Sequence, residues 1–541
     1  MTETIAPAEK NYLNETRGLS SWMFTLDHKR IGIMYLCLIM FFFLVGGVFG
    51  LLVRLELLKP NNWLMSNQTY NEVFTLHGAI MIFLFVIPVI PSALGNFFIP
   101  LMIGARDVAF PRLNNFSVWL FGAGVLVVIA SLTHPIDTGW TFYTPYSAKT
   151  AAAVTVLVGG LFLIGMSTIL TGLNFIVTIH RLRAPGMTWF RMPLFIWGMY
   201  ATSIINVVAT PVIGMTFLML LAERVFGVGF FDPAKGGDPI LFQHFFWFYS
   251  HPVVYVMILP AMGIISEVIP VFSRKPIFGY RAIAYSSLAI AFAGFLVWGH
   301  HMFVAGMSNA ADIFFSFFTF FVAVPTGVKV FNWIVTLYKG SIHLDSPMLY
   351  ALTFIFSFII GGLTGPFLGA LATDVHLHDT YFVVAHFHYT MMGGTVMGLF
   401  AGLHYWYPKM TGRMLSEKTA KAAWAFVFVG FFVTFFNMFI LGFRGMPRRW
   451  ATYPPQYQFQ HIISTVGSWI LAVGIVIMFY NFIRCLKKGE KAPPNPWNAL
   501  TLEWQVPSPP PTENFETIPV VTDWPYGYPK RDADKGTEWT I

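Results

Sequence analysis

The sequence predicts an all-α membrane protein, a bundle of about twelve transmembrane helices. Three observations carry that prediction. The chain of 541 residues is 56% hydrophobic and only 11% charged, whereas soluble domains are about a quarter charged. Apolar stretches of about twenty residues, long enough to cross a hydrocarbon core, recur from end to end. Within them the apolar residues run continuously and do not alternate, which speaks for helices over a β-barrel.

Hydropathy and breaker residues put the spans near 31–53, 74–101, 116–135, 150–179, 194–222, 242–271, 281–307, 311–338, 348–372, 381–408, 422–443 and 461–485. Residues 1–29 then form a polar N-terminal segment, 30–486 the helical domain and 487–541 a Pro-rich tail. The tail is expected to be extended, lying against partner subunits or the cytoplasmic face. Most basic loop residues, among them Arg181, Arg183, Arg274, Lys275, Arg281 and Lys409, fall on one side. By the positive-inside rule that side and both termini are cytoplasmic. Arg448 and Arg449, in RGMPRRW, break the rule, and clustered positives on the outer side point to an anionic ligand there.

Cys37 and Cys485 are the only cysteines, too few for a disulfide framework or a thiolate metal centre. Any metal must rely chiefly on histidine. The formal charge of +8 sits mostly in short loops and tails, so no nucleic-acid partner is expected. The first residues show neither a signal-peptide apolar core nor an Arg-rich transit pattern, which favours a bacterial plasma membrane.

Ionisable groups at membrane depth are costly and rarely idle. His77, His251, His300, His301, His386 and His388 all fall in or near the outer half of spans. One such histidine is more often a hydrogen-bonded core residue. Six at comparable depth favour metal ligation, because neutral imidazole is the common ligand of iron and copper. His386 and His388 point roughly 200° apart on one helix, so one helix can serve two separate metals. His300 and His301 lie about 100° apart and converge on one ion only where the helix is distorted or tilted. His251 and Tyr255 share a helical face.

HGAIMIF at 77–83, HPVVY at 251–255, WGHHMF at 298–303, PTGVKVFNW at 325–333, HDTYFVVAHFHY at 378–389 and GMPRRW at 445–450 resemble the signature motifs of subunit I of the haem–copper oxidases, the cytochrome c oxidases in particular. The resemblance covers nearly the whole chain and implies that family's fold. It implies that His77 and His388 are the axial ligands of low-spin haem a, and that His386 is the proximal ligand of haem a3. It implies that His251, His300 and His301 bind copper (CuB), with Tyr255 cross-linked to His251. His378 and Asp379 match a magnesium site shared with subunit II. Asp374, Arg448 and Arg449 match groups around the haem propionates, Arg54 the arginine at the haem a formyl, and Glu56 a calcium or sodium site.

The same resemblance implies two proton routes. Lys329, the one Lys or Arg in mid-span, matches the K-channel lysine, with Thr326 and Ser266 along that route. Asp107 matches the carboxylate at the mouth of the D-channel, and Asn96, Asn114, Asn115, Tyr35 and Asn174 match polar residues above it. One departure stands out: the family's HPEVY reads HPVVY here, with Val253 in place of the channel glutamate. Tyr249 lies one turn before Val253 on the same face, and Tyr249 and Ser250 resemble the Tyr–Ser pair that stands in for the glutamate in a variant of the type A oxidases.

The expected function is reduction of O2 to water with electrons from cytochrome c, coupled to proton pumping. A dinuclear copper for electron input needs cysteines this chain lacks, so subunit II must carry it, with subunit III a further partner. A quinol oxidase on the same scaffold is the near alternative. A nitric oxide reductase fits less well, since those relatives lack equivalents of Tyr255 and Lys329. A transporter without redox centres predicts scattered midplane polar groups, not six histidines at ligand spacing.

Overall fold

In hydrocarbon every backbone N–H and C=O must be paired within its own segment, and each apolar run accordingly folds as helix. The computed structural model describes residues 10–528, together with the backbone of a two-residue antiparallel ladder, Lys530–Arg531 with Trp539–Thr540. Among the described residues, ten helices are long and apolar enough to cross a membrane. They are α1 (His28–Glu56), α2 (Asn67–Ile103), α3 (Pro111–Thr133), α4 (Val154–Arg181), α5 (Leu194–Phe226), α6 (Pro239–Ser273), α8 (Asn309–Leu337), α9 (Ser346–Gly369), α11 (Glu417–Phe443) and α12 (Pro455–Lys488).

The other two expected spans are the ones that carry His300, His301, His386 and His388. The first, α7 (Tyr280–Gly294), is only 15 residues long before the chain breaks and re-forms as a 3-10 turn, Trp298–Met302. The second, α10 (381–411), is continuous helix with a π-helical turn, Met391–Val396, just after the histidine motif. Its polar HFHYT run lowers its apolarity. Two more π segments, Ile80–Val86 and Val89–Gly95, interrupt α2 around Pro88 and Pro91, residues that cannot donate to the helical ladder.

Several helices outrun the expected spans because polar caps carry them past the apolar core. Asp27, Ser66, Asp238 and Ser308 each accept a first-turn N–H at the start of α1, α2, α6 and α8. Glycines set the tightest crossings, as small residues do in membrane bundles. A Cβ on Gly124 of α3 would lie 2.8 Å from the Gly160 carbonyl of α4, and one on Gly430 of α11 would lie 2.2 Å from the Leu471 backbone N of α12.

In α6 and α2 the most apolar stretches are 89% and 78% buried, against 17% in α8. The bundle is therefore built around α2 and α6, the helices that carry His77 and His251. The tail is not merely extended. It folds back over the bundle face that also receives the N-terminal segment, with Trp504 and Tyr526 fully buried. Asn514 hydrogen-bonds His28 and Lys29 of α1, Lys409 donates to Val506 O at 2.5 Å, and Tyr526 Oη donates to Glu267 of α6 at 2.6 Å.

Candidate metal centre

His251 sits on α6, and His300 and His301 on the 3-10 turn after α7. The tighter turn is the distortion that two adjacent histidines need to converge. One ligand atom from each lies within 4.8 Å of the others, the one such cluster of three among the described residues. His251 Nδ1 faces His301 Nε2 at 3.2 Å. Two further contacts select the donor atoms. His251 Nε2 lies 2.8 Å from Tyr255 Oη, and by donating its N–H to that oxygen it leaves the Nδ1 lone pair for a metal. Thr319 Oγ1 donates to Phe315 O and so accepts from His300 Nδ1 at 2.9 Å, leaving His300 Nε2 free. Trp247 stacks on His301 at 3.8 Å and is held by Tyr143 Oη at 2.5 Å. Gly294 is needed beside Tyr255, since a Cβ there would lie 2.6 Å from the phenol ring.

The remaining histidines repeat one pattern. His77 Nδ1 donates to Gly46 O at 2.8 Å and His388 Nδ1 to Val384 O at 2.8 Å. His386 Nδ1 meets Thr364 Oγ1 at 3.0 Å, whose own proton is directed to backbone carbonyls. Each ring therefore keeps its Nε2 lone pair free, with its orientation set by a hydrogen bond at the other nitrogen. A Cβ on Gly50 would lie 2.9 Å from His77 Cε1, so glycine makes room for that ring. Two guanidinium nitrogens of buried Arg54, Nε and Nη1, lack a protein partner, while Nη2 donates to His461 O at 2.8 Å. These donor sets and orphaned groups fit two haems and one copper.

At the opposite end from the docked tail, Arg448 Nε donates to Asp379 Oδ1 at 2.7 Å, and His378 Nδ1 lies 2.9 Å from Asp374 Oδ2. Burial works against ionisation of Asp379, but Arg448, His378 and Arg449 outweigh it and hold the carboxyl below its usual range. Burial, then the neighbouring Arg448, pushes Arg449 down to about 10. His378 and Asp379 thus have separate partners and do not form a cluster by themselves. Glu56 Oε2 accepts from Leu64 N and Met65 N, and its Oε1 is buried without a partner.

On the terminal face, burial lifts the Asp107 carboxyl to about 7, partly offset by the Val108 N–H. Asn174 bonds Phe110 N and O, and Tyr35 Oη reaches Ser117 and Ser167. Asn96 Oδ1 and both polar atoms of the Asn114 side chain are buried without a protein partner, as expected where water fills the gap. Asn115 turns away to carbonyls of Met23 and Thr25. Ser117, Ser167, Thr319, Thr364, Trp247 and Tyr143 were not singled out by the sequence; each acts through a neighbour distant in the chain.

The Tyr249 hydroxyl makes no hydrogen bond to another protein group among the described residues. It lines a small cavity with Gly165, Thr168 and Ile213, and Ser250 Oγ beside it is buried and unpartnered. Lys329 is 1% exposed, with no ion-pair or hydrogen-bond partner among the described residues. One turn on, Trp333 Nε1 donates to Ser266 Oγ at 3.0 Å, while Thr326 bonds back to Val322 O.

A family model described as cytochrome C and quinol oxidase polypeptide I matches residues 30–487. Cytochrome c oxidase subunit 1 of Thermostichus vulcanus is 48% identical over 507 residues, covering 93% of this chain and 92% of its own. The Bacillus subtilis subunit 1 is 45% identical over 514 residues, covering 94% and 82%. A solved structure of a haem–copper terminal oxidase dimer shares the fold, with a TM-score of 0.75 at 20% identity over 85% of each chain. With its ten membrane-length helices and bacterial relatives, this is a multi-pass membrane protein of an oxidoreductase lineage. The chain belongs to the cytochrome c and quinol oxidase polypeptide I family.

Proposed function

We propose that this chain reduces O2 to water with electrons that cytochrome c delivers through a copper-bearing partner subunit, and couples that reaction to proton translocation. The observation that carries the reading is the His251–His300–His301 cluster with Tyr255 hydrogen-bonded at its edge. When bound, haem and copper supply electron transfer and oxygen binding. The chain's residues do the rest: Thr319 and Tyr255 fix the imidazole tautomers of the cluster, and Tyr255 holds a transferable proton at Oη. Arg54, Arg448 and Arg449 supply positive charge and N–H donors for haem substituents, His378, Asp379 and a partner subunit would hold magnesium, and Glu56 a calcium or sodium ion.

Protons would reach the site along two seams, one through Lys329, Thr326 and Ser266, the other from Asp107 past Asn174, Asn114, Asn96 and Tyr35 to Tyr249. A phenol, ordinarily protonated at neutral pH, passes protons in concert with water and does not store them. Tyr249, lining a cavity of water dimensions, and Ser250, whose Oγ is buried without a protein partner, suit that role in place of a glutamate. Tyr249→Phe keeps the ring and removes the hydroxyl. It is expected to slow oxygen turnover and lower the protons pumped per electron in reconstituted vesicles, with both haem spectra normal. Pumping and turnover at the parent level would assign the tyrosine to packing alone.

Asp107 gives a pH signature. With its carboxyl titrating near 7, it is mostly protonated below that pH and about nine-tenths ionised one unit above it. Proton uptake is therefore expected to fall as pH rises through 7, and Asp107→Asn to remove that inflection along with most pumping. Stopped-flow proton uptake against pH measures both; an unchanged profile in the variant would exclude Asp107 as the mouth of the route.

A further inference from the structure

A cavity of about 760 Å³ lies remote from the metal centre. It opens at the bundle face on which residues 10–27 and the tail to Tyr528 lie, between the α4–α5 loop, the start of α7 and the tail. Arg191, Arg281, Tyr280, Thr522 and Trp524 line it. Among the described residues, neither arginine pairs with a carboxylate. Arg191 Nη1 is engaged with the carbonyls of Gly186 and Val521, both at 3.1 Å, which leaves Nε and Nη2. The Arg281 guanidinium rests 4.9 Å from the Phe190 ring centroid. One acid, Asp523, stands at the rim and accepts from Thr522 Oγ1 at 3.1 Å. Two unpaired guanidiniums against one solvated carboxylate leave a net positive cavity suited to a phosphate.

The wall below the cavity indicates which kind of phosphate. Tyr285 and Phe292, seven residues apart, lie on one side of α7 with only slight drift, and Phe278 stands in the turn that leads into the helix. Phe278, Tyr285 and Phe292 are 54%, 56% and 70% exposed. A cationic cavity at the rim of a membrane bundle, opening onto a bare aromatic stripe, matches a phosphate headgroup with an acyl chain attached. A soluble anion would make no use of the stripe.

We propose that this cavity binds an anionic phospholipid, with its phosphate held by Arg191 and Arg281 and one acyl chain laid along Phe278, Tyr285 and Phe292. The lipid would also fasten the tail. Trp524 packs edge-on against Tyr280 at 5.6 Å, and two residues later Tyr526 is bonded to Glu267 of α6. Occupancy would thus join the tail, the α4–α5 loop and α7 into one wall.

The test uses the complex purified from its own membrane, delipidated in detergent and titrated with phosphatidylglycerol, with phosphatidylcholine of the same acyl chains, or with inorganic phosphate. Bound lipid is read by native mass spectrometry, and protection of the tail by limited proteolysis. Phosphatidylglycerol is expected to bind and protect the tail where phosphatidylcholine does not. Arg281→Gln should weaken that binding about fivefold, as loss of one basic contact to an anionic lipid implies, and Arg281→Lys should retain most of it. Arg281 is exposed, so neither change threatens folding. Equal response to the two lipids, an undiminished response in Arg281→Gln, or full tail protection by inorganic phosphate alone would each overturn the lipid assignment.

Discussion

Replacing His388 with Ala is expected to abolish the low-spin haem signal and leave carbon monoxide binding at the other haem, and replacing His386 is expected to do the reverse. The two histidines sit on one helix with a single residue between them, and their anchors diverge. His388 is tied to its own helix through Val384 O and stacks on Phe435 of α11 at 4.2 Å. His386 is tied to Thr364 of α9. The rings face different neighbouring helices, so each Nε2 would address a different iron. His77, held by Gly46 and admitted by Gly50, would be the second ligand on the His388 side. Optical and carbon monoxide difference spectra of the two variants decide the matter. If both changes disturbed the same haem equally, the assignment to two irons would fail.

Lys329→Met is expected to cut oxygen turnover by about a hundredfold or more, the scale lost when a positioned proton-transfer group is removed, while the low-spin haem still reduces normally. An ammonium with no partner in an apolar span is expensive, and nothing in the packing of α8 requires one. Met matches the length of the side chain and removes the titratable group. Stopped-flow reduction of the anaerobic enzyme separates the two haems in time. Normal reduction of both would remove the case for a proton path through Lys329.

The helical class, the order of the spans and the histidine spacing were legible because each is a property of neighbours in the chain. The adjacency of His300 and His301 even called for a distorted helix, and the 3-10 turn supplies it. What fixes the imidazole tautomers was mostly not legible. Thr319 meets His300, Thr364 meets His386 and Gly46 meets His77 only after separate segments pack. Val384, four residues before His388, was open to inference from helical spacing. The tail's docking was hidden for another reason: its Pro-rich composition reads as an extended linker, while Trp504 and Tyr526 bury themselves against partners almost a hundred and more than two hundred residues away. Asn115 shows the converse, a polar residue beside the Asp107 seam whose partners are carbonyls of the N-terminal segment.

The most direct test of the central claim is oxygen consumption by the purified complex with reduced cytochrome c as donor, measured together with copper content for the parent chain and for His300→Asn. Cyanide-sensitive oxygen uptake in the parent is expected, lost in the variant along with one copper per chain while the low-spin haem spectrum persists. Undiminished uptake by His300→Asn with its copper intact, or uptake sustained by a quinol and not by cytochrome c, would contradict the account.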